Sequence, residues 1–236
     1  MRNFVLFSLA AFLAFAPAAS AQSASFVVSQ HGKSVGTASF NFSANPAGYD
    51  STALVIINMK GLDYSLSKTE SLSQANFLRQ VQLSAAVNGS AANVVAVPDS
   101  AQILLNISAN GRSTTTGLAQ HPAAVFLPDF DPGSLETLLA LAVSRNNRDL
   151  WAIIPKRAGS IEPIQLATYA DEYGTLDGKP IAAHHLVATI AGARTDLFSG
   201  PENQLLQAEL PQQGFALIRK GFVLTPPAKP GAAPTP

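Results

Sequence analysis

Apolar and polar residues alternate with a period of two over most of the chain, the pattern of half-buried β-strands. Between Ser34 and Phe42, for example, Gly36, Ala38, Phe40 and Phe42 share one side, and Thr37, Ser39 and Asn41 the other. Strands are predicted over 26–29, 34–42, 52–59, 62–72, 76–87, 92–97, 102–109, 112–118, 150–154, 161–173, 181–190, 194–198, 204–210 and 215–224. Asn88-Gly89, Asn110-Gly111 and Asp177-Gly178 supply two-residue hairpin turns. His31-Gly32, Asn45-Pro46-Ala47-Gly48, Lys156-Arg157-Ala158-Gly159 and Pro211 to Gly214 also have turn composition. Short connections favour antiparallel neighbours, and a sheet of roughly a dozen strands must curl, close or split in two.

One stretch breaks the alternation. After the Pro-rich segment from His121 to Asp131, Leu135, Leu138, Leu139 and Ala142 fall at the spacing of one helical face. Asp131 is placed to cap such a helix, Pro132 suits its first position, and Asn146-Asn147 is a plausible stop. A lone apolar helix in a β chain must bury its face against a sheet. The predicted fold is therefore mainly β: a large curled antiparallel sheet, a half-barrel, packed on one central amphipathic helix over about residues 132–144. A β-sandwich is the alternative.

The first residues change the picture by giving a destination. Arg2, the apolar run Phe4 to Phe15 and Ala19-Ser20-Ala21 have the layout of a cleavable signal peptide over 1–21. That predicts an exported protein, periplasmic or secreted, with a single β-rich domain over 22–224 and a Pro/Ala tail over 225–236. The apolar run is too short to span a bilayer and no second long run follows, so no transmembrane segment is expected in the mature chain. There is no cysteine, which removes disulfides, thiol nucleophiles and thiolate metal sites. Without Arg2 the count is 14 basic against 15 acidic residues, and only 13% of the chain is charged. Nucleic acid is not an expected partner, because it requires a basic face.

Candidate chemistry is sparse. Gly32-Lys33-Ser34-Val35-Gly36 matches G-x-S-x-G by letter, but it sits in a hairpin turn rather than between a strand and a helix. As the end of a phosphate loop it lacks the upstream glycine, since position 27 is Val27. His184-His185 is the one pair suited to base or ligand chemistry, with Asp171, Glu172 and Asp177 close in sequence. Adjacent strand residues point to opposite faces, so both imidazoles cannot readily share one ion. Asp129 and Asp131 bracket the end of the crossing segment, where Asp131 already has a role as cap. Asn41, Asn88 and Asn106 open glycosylation sequons that matter only in a eukaryotic host. Trp151, Tyr64, Tyr169 and Tyr173 are too scattered for a carbohydrate platform. No residue is assigned as catalytic, cofactor-binding or metal-binding.

The region from Ser25 to Leu224 resembles exported bacterial β-rich domains of unknown function. The features that carry this are the opening pair Phe26-Val27-Val28 and Ser34-Val35-Gly36-Thr37, and Pro128-Asp129-Phe130 before a Leu-rich helix. A late ladder adds Gly178-Lys179-Pro180, His184-His185-Leu186-Val187, Asp196-Leu197-Phe198 and Gln204 to Glu209. More distantly, the element order is similar to periplasmic lipoprotein carriers, whose curved sheets bind acyl chains. This chain differs from the carriers in having one clear helix rather than several, and the resemblance carries no site residue. The apolar concave side expected of a curled sheet, beside the helix, points instead to an apolar small molecule, a lipid or an envelope protein as partner. The expected function is a non-enzymatic cell-envelope protein binding such a partner in its curled sheet, with no cofactor. The alternative is a hydrolase using His184 or His185 with Asp171, Glu172 or Asp177.

Overall fold

The structure is a computed structural model that describes residues 22–156 and 158–225. The proposed signal peptide and the tail beyond residue 225 lie outside the described residues. Strands β1 (Gln22–Gln30), β2 (Lys33–Asn45), β3 (Gly48–Met59), β4 (Leu62–Ser73), β5 (Leu78–Val87), β6 (Ser90–Asp99), β7 (Gln102–Ala109) and β8 (Arg112–Ala119) form an antiparallel meander. The short β9 (Ala124–Phe126) leads into α1 (Pro132–Ser144). Then follow β10 (Leu150–Ile154), β11 (Ser160–Thr168), β12 (Glu172–Leu176), β13 (Lys179–Ile190), β14 (Ala193–Ser199), β15 (Leu205–Leu210), β16 (Phe215–Arg219) and β17 (Phe222–Leu224).

The two halves are joined where β1 pairs with β16, Phe26 opposite Arg219 and Val28 opposite Leu217. From there β16, β15, β14, β13, β11, β10 and β9 continue the sheet, with β12 and β17 branching from the first half of β13. Every pairing is antiparallel except β9 with β10, which is parallel. Among the described residues the result is the expected half-barrel: one open, curled sheet of seventeen strands around one helix, not a closed barrel and not a sandwich.

Three elements differ from the sequence expectation. The strand predicted over 161–173 is divided, because β11 pairs with Leu186–Ile190 of β13 while β12 pairs with Lys179–Ala183. The strand predicted over 215–224 breaks at Lys220-Gly221, where Gly221 has φ +85° and the chain passes from β1 to β12. The Pro-rich crossing segment holds β9, whose three residues are all buried.

The helix begins as expected. Asp131 Oδ1 accepts from the backbone N–H of Gly133 at 2.9 Å and of Ser134 at 3.3 Å, and Pro132 follows the cap. It ends at Asn146 and Asn147, both left-handed, with the Asn147 N–H on the Ala142 carbonyl. Leu135, Leu138, Leu139 and Ala142 are buried as predicted, but so are Ser134, Glu136, Thr137 and Leu141. Burying its four leucines is worth about 6–12 kcal/mol before chain entropy is counted. The helix is thus enclosed on nearly every side of its first turns, and its polar residues lie inside with the leucines.

The sheet supplies the rest of the enclosure by strict alternation. In β4, Tyr64, Leu66, Lys68, Glu70 and Leu72 point into the concavity, while Ser65, Ser67 and Thr69 are exposed on the outside. The neighbouring outer positions are mostly of the same kind, including Thr37, Asn41, Thr52, Gln82, Ser84 and Asn93, although Leu54 and Ile56 of β3 also lie exposed on this face. A wall facing lipid would have the opposite polarity. No helix of the described residues is long and apolar enough to cross a membrane.

Candidate functional site

The two histidines singled out in the sequence are adjacent on β13, opposite Ser199 and Phe198 of β14. Each finds a carboxylate. His184 Nδ1 lies 3.0 Å from Asp171 Oδ1, both side chains half exposed. His185 is mostly buried, stacked on Phe198 with ring centroids 4.6 Å apart. Its Nε2 lies 2.9 Å from Asp196 Oδ1 and its Nδ1 lies 3.5 Å from Glu172 Oε1. With a carboxylate at each nitrogen, His185 has no free position from which to take a substrate proton. Arg194 Nε donates to Asp196 Oδ2 at 2.8 Å. Burial raises the Asp196 carboxyl, but the bonds from Arg194 and His185 outweigh it and hold the group below its ordinary range.

Asp177 is not brought to this cluster. It makes the turn at the far end of the β12–β13 hairpin, its N–H on the Gly221 carbonyl. Among the described residues no group of three His, Asp or Glu side chains is placed to hold a metal ion. The glycines of Gly32-Lys33-Ser34-Val35-Gly36 serve the backbone. Gly32 takes φ +76° in the first turn, and a Cβ on Gly36 would lie 2.2 Å from the Ile56 carbonyl oxygen of β3.

A buried charge cluster, of which only Asp131 is among the candidates named above, lies under the helix N-terminus. Lys68 Nζ is 2.6 Å from Asp131 Oδ2, 2.8 Å from Glu70 Oε2 and 2.7 Å from Ser134 Oγ. Ser134 Oγ in turn donates to Asp131 Oδ2 at 2.7 Å. All four residues are buried. A Ser–Lys contact is one form of activated nucleophile, but that chemistry needs a neutral amine. Burial alone would lower the Lys68 ammonium, yet Asp131 and Glu70 more than reverse this and hold its pKa above the ordinary value. Burial raises Glu70, with Lys68 offsetting only part of the shift. Lys68 thus bridges the side chains of Asp131 and Glu70 in one buried cluster. The cluster fixes the helix cap to the sheet. Its sequence signal was present, since Lys68 and Glu70 occupy the apolar parity of their strand between Leu66 and Leu72.

That anchorage positions the connector from β9 to α1. Tyr64 Oη donates to the Asp129 carbonyl at 3.2 Å, and the Asp131 side chain is held by Lys68. Between these two fixed points Phe130 adopts φ +59°, a left-handed conformation that is rare for a bulky side chain. Its ring is wedged between Phe215, 4.8 Å away centroid to centroid, and Tyr64 at 5.8 Å. Phe130 lines a mainly apolar pocket of about 130 Å³ with Leu127, Leu135, Ile190, Leu210 and Leu217, and with the polar side chains of Asp131 and Gln213. The Asp129–Lys156 ion pair, 2.8 Å long and solvent-exposed, lies on its border, as do Ala193 and Thr195. Strain of this kind costs about 1–3 kcal/mol and gathers where a site must be shaped in advance.

Comparison with known proteins finds no matching family model, no matching curated protein and no matching solved structure.

Proposed function

We propose that this chain is an exported, non-enzymatic protein of the cell envelope that captures an apolar group in the pocket beside Phe130. The observation that carries the reading is the left-handed Phe130, held between a capped helix and a tyrosine so that its ring forms one wall of the pocket. The volume suits one aromatic ring or a short run of methylenes, since an apolar cavity of roughly 150 Å³ accepts benzene. Core side chains pack around this small pocket, so the group captured in it is the end of a lipid or a small apolar molecule rather than a whole acyl chain. Export rests on the signal-like first 21 residues.

Titration with fatty acids, alkyl detergents and small aromatics, followed by ligand-detected NMR and native mass spectrometry, is the test. Binding should be abolished by Ala193→Trp, which fills the pocket from its exposed rim. Absence of binding across all three classes, or unchanged binding in the variant, rejects the reading. A hydrolase is the second reading, favoured by the His184–Asp171 contact that leaves His184 Nε2 open to solvent. Turnover of an ester or amide panel that disappears in His184→Ala would establish it instead.

A further inference from the structure

A second cleft lies on the other side of the helix, away from Phe130. Glu136, Thr137, Ala140 and Val143 present one face of α1 to a space of about 350 Å³. Phe42 and Ala44 of β2 and Tyr49 of β3 form the opposite wall, with Glu202 and Asn203 of the β14–β15 loop at the rim. The volume is within the range of small-molecule sites, and the lining mixes apolar and polar side chains about equally, Gln22 and Asn76 among the polar ones. Glu136 is the distinctive member. Its side chain is 6% exposed, and Oε1 accepts from the Leu205 N–H at 2.9 Å. Oε2 has no hydrogen-bond partner among the described residues and belongs to a side chain that lines the cleft.

One oxygen of this carboxyl is committed to the fold, and the other opens to the cleft, where it can accept from a donor held there. The nearest cation, Arg219 Nη1, is 4.0 Å from Oε1, beyond hydrogen-bond reach, and donates to the Leu205 carbonyl instead. A second carboxylate at the rim, Glu202, adds negative charge without competing for the interior. We infer that this cleft binds a protonated amine carried on a small apolar body, with the Glu136 carboxylate as its counter-ion.

The binding should depend on pH through Glu136. Burial pushes this carboxyl up to about 7, opposed in part by the Leu205 N–H and Arg219. The other titratable groups facing it are Glu202 of the loop, Tyr49 of β3 and, in a chain cleaved after Ala21, the α-amino group of Gln22, which also lines the cleft. An amine binds the ionised form, whose population falls about tenfold between pH 8 and pH 6 for such a group.

The experiment compares 2-phenylethylamine with 2-phenylethanol, matched in shape and differing in charge, by calorimetric titration of the intact purified protein. The amine should bind about tenfold more weakly at pH 6 than at pH 8, and the alcohol should show no such change. Glu136→Gln keeps the acceptor for Leu205 and should abolish the preference for the amine. Val143→Trp, at an exposed helix position, should block both ligands and guards against a folding defect in the first variant. Ala193→Trp, which closes the Phe130 pocket, should leave amine binding intact, so this inference and the proposed function fail separately. Equal affinity for amine and alcohol, amine binding unchanged in Glu136→Gln, or no amine binding at millimolar concentration overturns the inference.

Discussion

Replacing Lys68 by Met tests the account of the buried cluster most directly. The methionine fills nearly the same volume, so the change removes one charge and three polar contacts and leaves little cavity. Asp131 keeps its bonds from the Gly133 and Ser134 N–H groups and from Ser134 Oγ, but it loses its counter-ion in a site with no exposed side-chain surface. Breaking a buried ion pair in this way costs about 3–5 kcal/mol, a third or more of the roughly 5–15 kcal/mol that holds a domain together. The corresponding fall in Tm is about 6–20 °C for a chain of this length. Urea unfolding followed by circular dichroism reads the loss as a lower midpoint at unchanged slope. Adding Asp131→Asn to Lys68→Met should recover much of it, because asparagine still caps the helix and removes the orphaned charge. A single variant within about 1 kcal/mol of the parent, or a double variant no better than the single, would refute the assignment of Lys68 and Asp131 as a buried charge pair.

The remaining predictions concern stability. Glu136 has a folded pKa raised from 4.5 to about 7, so its contribution is present in full below pH 4.5 and is lost as pH rises through 7. Glu136→Gln should therefore stabilise the protein by up to about 3 kcal/mol at pH 8 and leave it unchanged near pH 4, read as Tm against pH. Asp196 has a lowered folded pKa, so its stabilisation is present above its unfolded value of 3.8 and is lost as pH falls through the acid range. Asp196→Asn should lower Tm at neutral pH and flatten that acid limb; a parent and variant with parallel acid limbs would contradict it. Gly36→Val places its Cβ against the Ile56 carbonyl and should cost about 3 kcal/mol or more in urea unfolding.

The fold was legible where local rules decide. The Asn-Gly and Asp-Gly turns fixed the hairpins, and Asp131, Pro132 and the leucine spacing fixed the helix. Distant pairings were not legible, because nothing local to Phe26 names Arg219 as its neighbour and nothing in Ala124 announces a parallel partner in Trp151. The division of the strand predicted over 161–173 has the same origin, since it depends on which half of β13 each segment meets. Residue-level chemistry was partly visible. The histidine–carboxylate contacts follow from hairpin proximity, although Asp177 is at the wrong end of its hairpin. Lys68 and Glu70 could have been found from strand parity, whereas the left-handed Phe130 and the buried Glu136 depend on what the sheet folds around them.

The seam between β1 and β16 bears on how this chain reaches its final shape. The meander from β2 to β8 needs only neighbouring segments and can assemble as soon as they are available. The first strand, by contrast, has one partner close by in β2 and the other near the far end of the sequence. Until β16 is present, Phe26 and Val28 lie on an unfinished edge that can template pairing with another molecule. A chain emerging amino end first would therefore carry this unpaired edge of β1 until nearly all of the sequence is available, and the slow step of folding would be the closure of that seam rather than the formation of the helix.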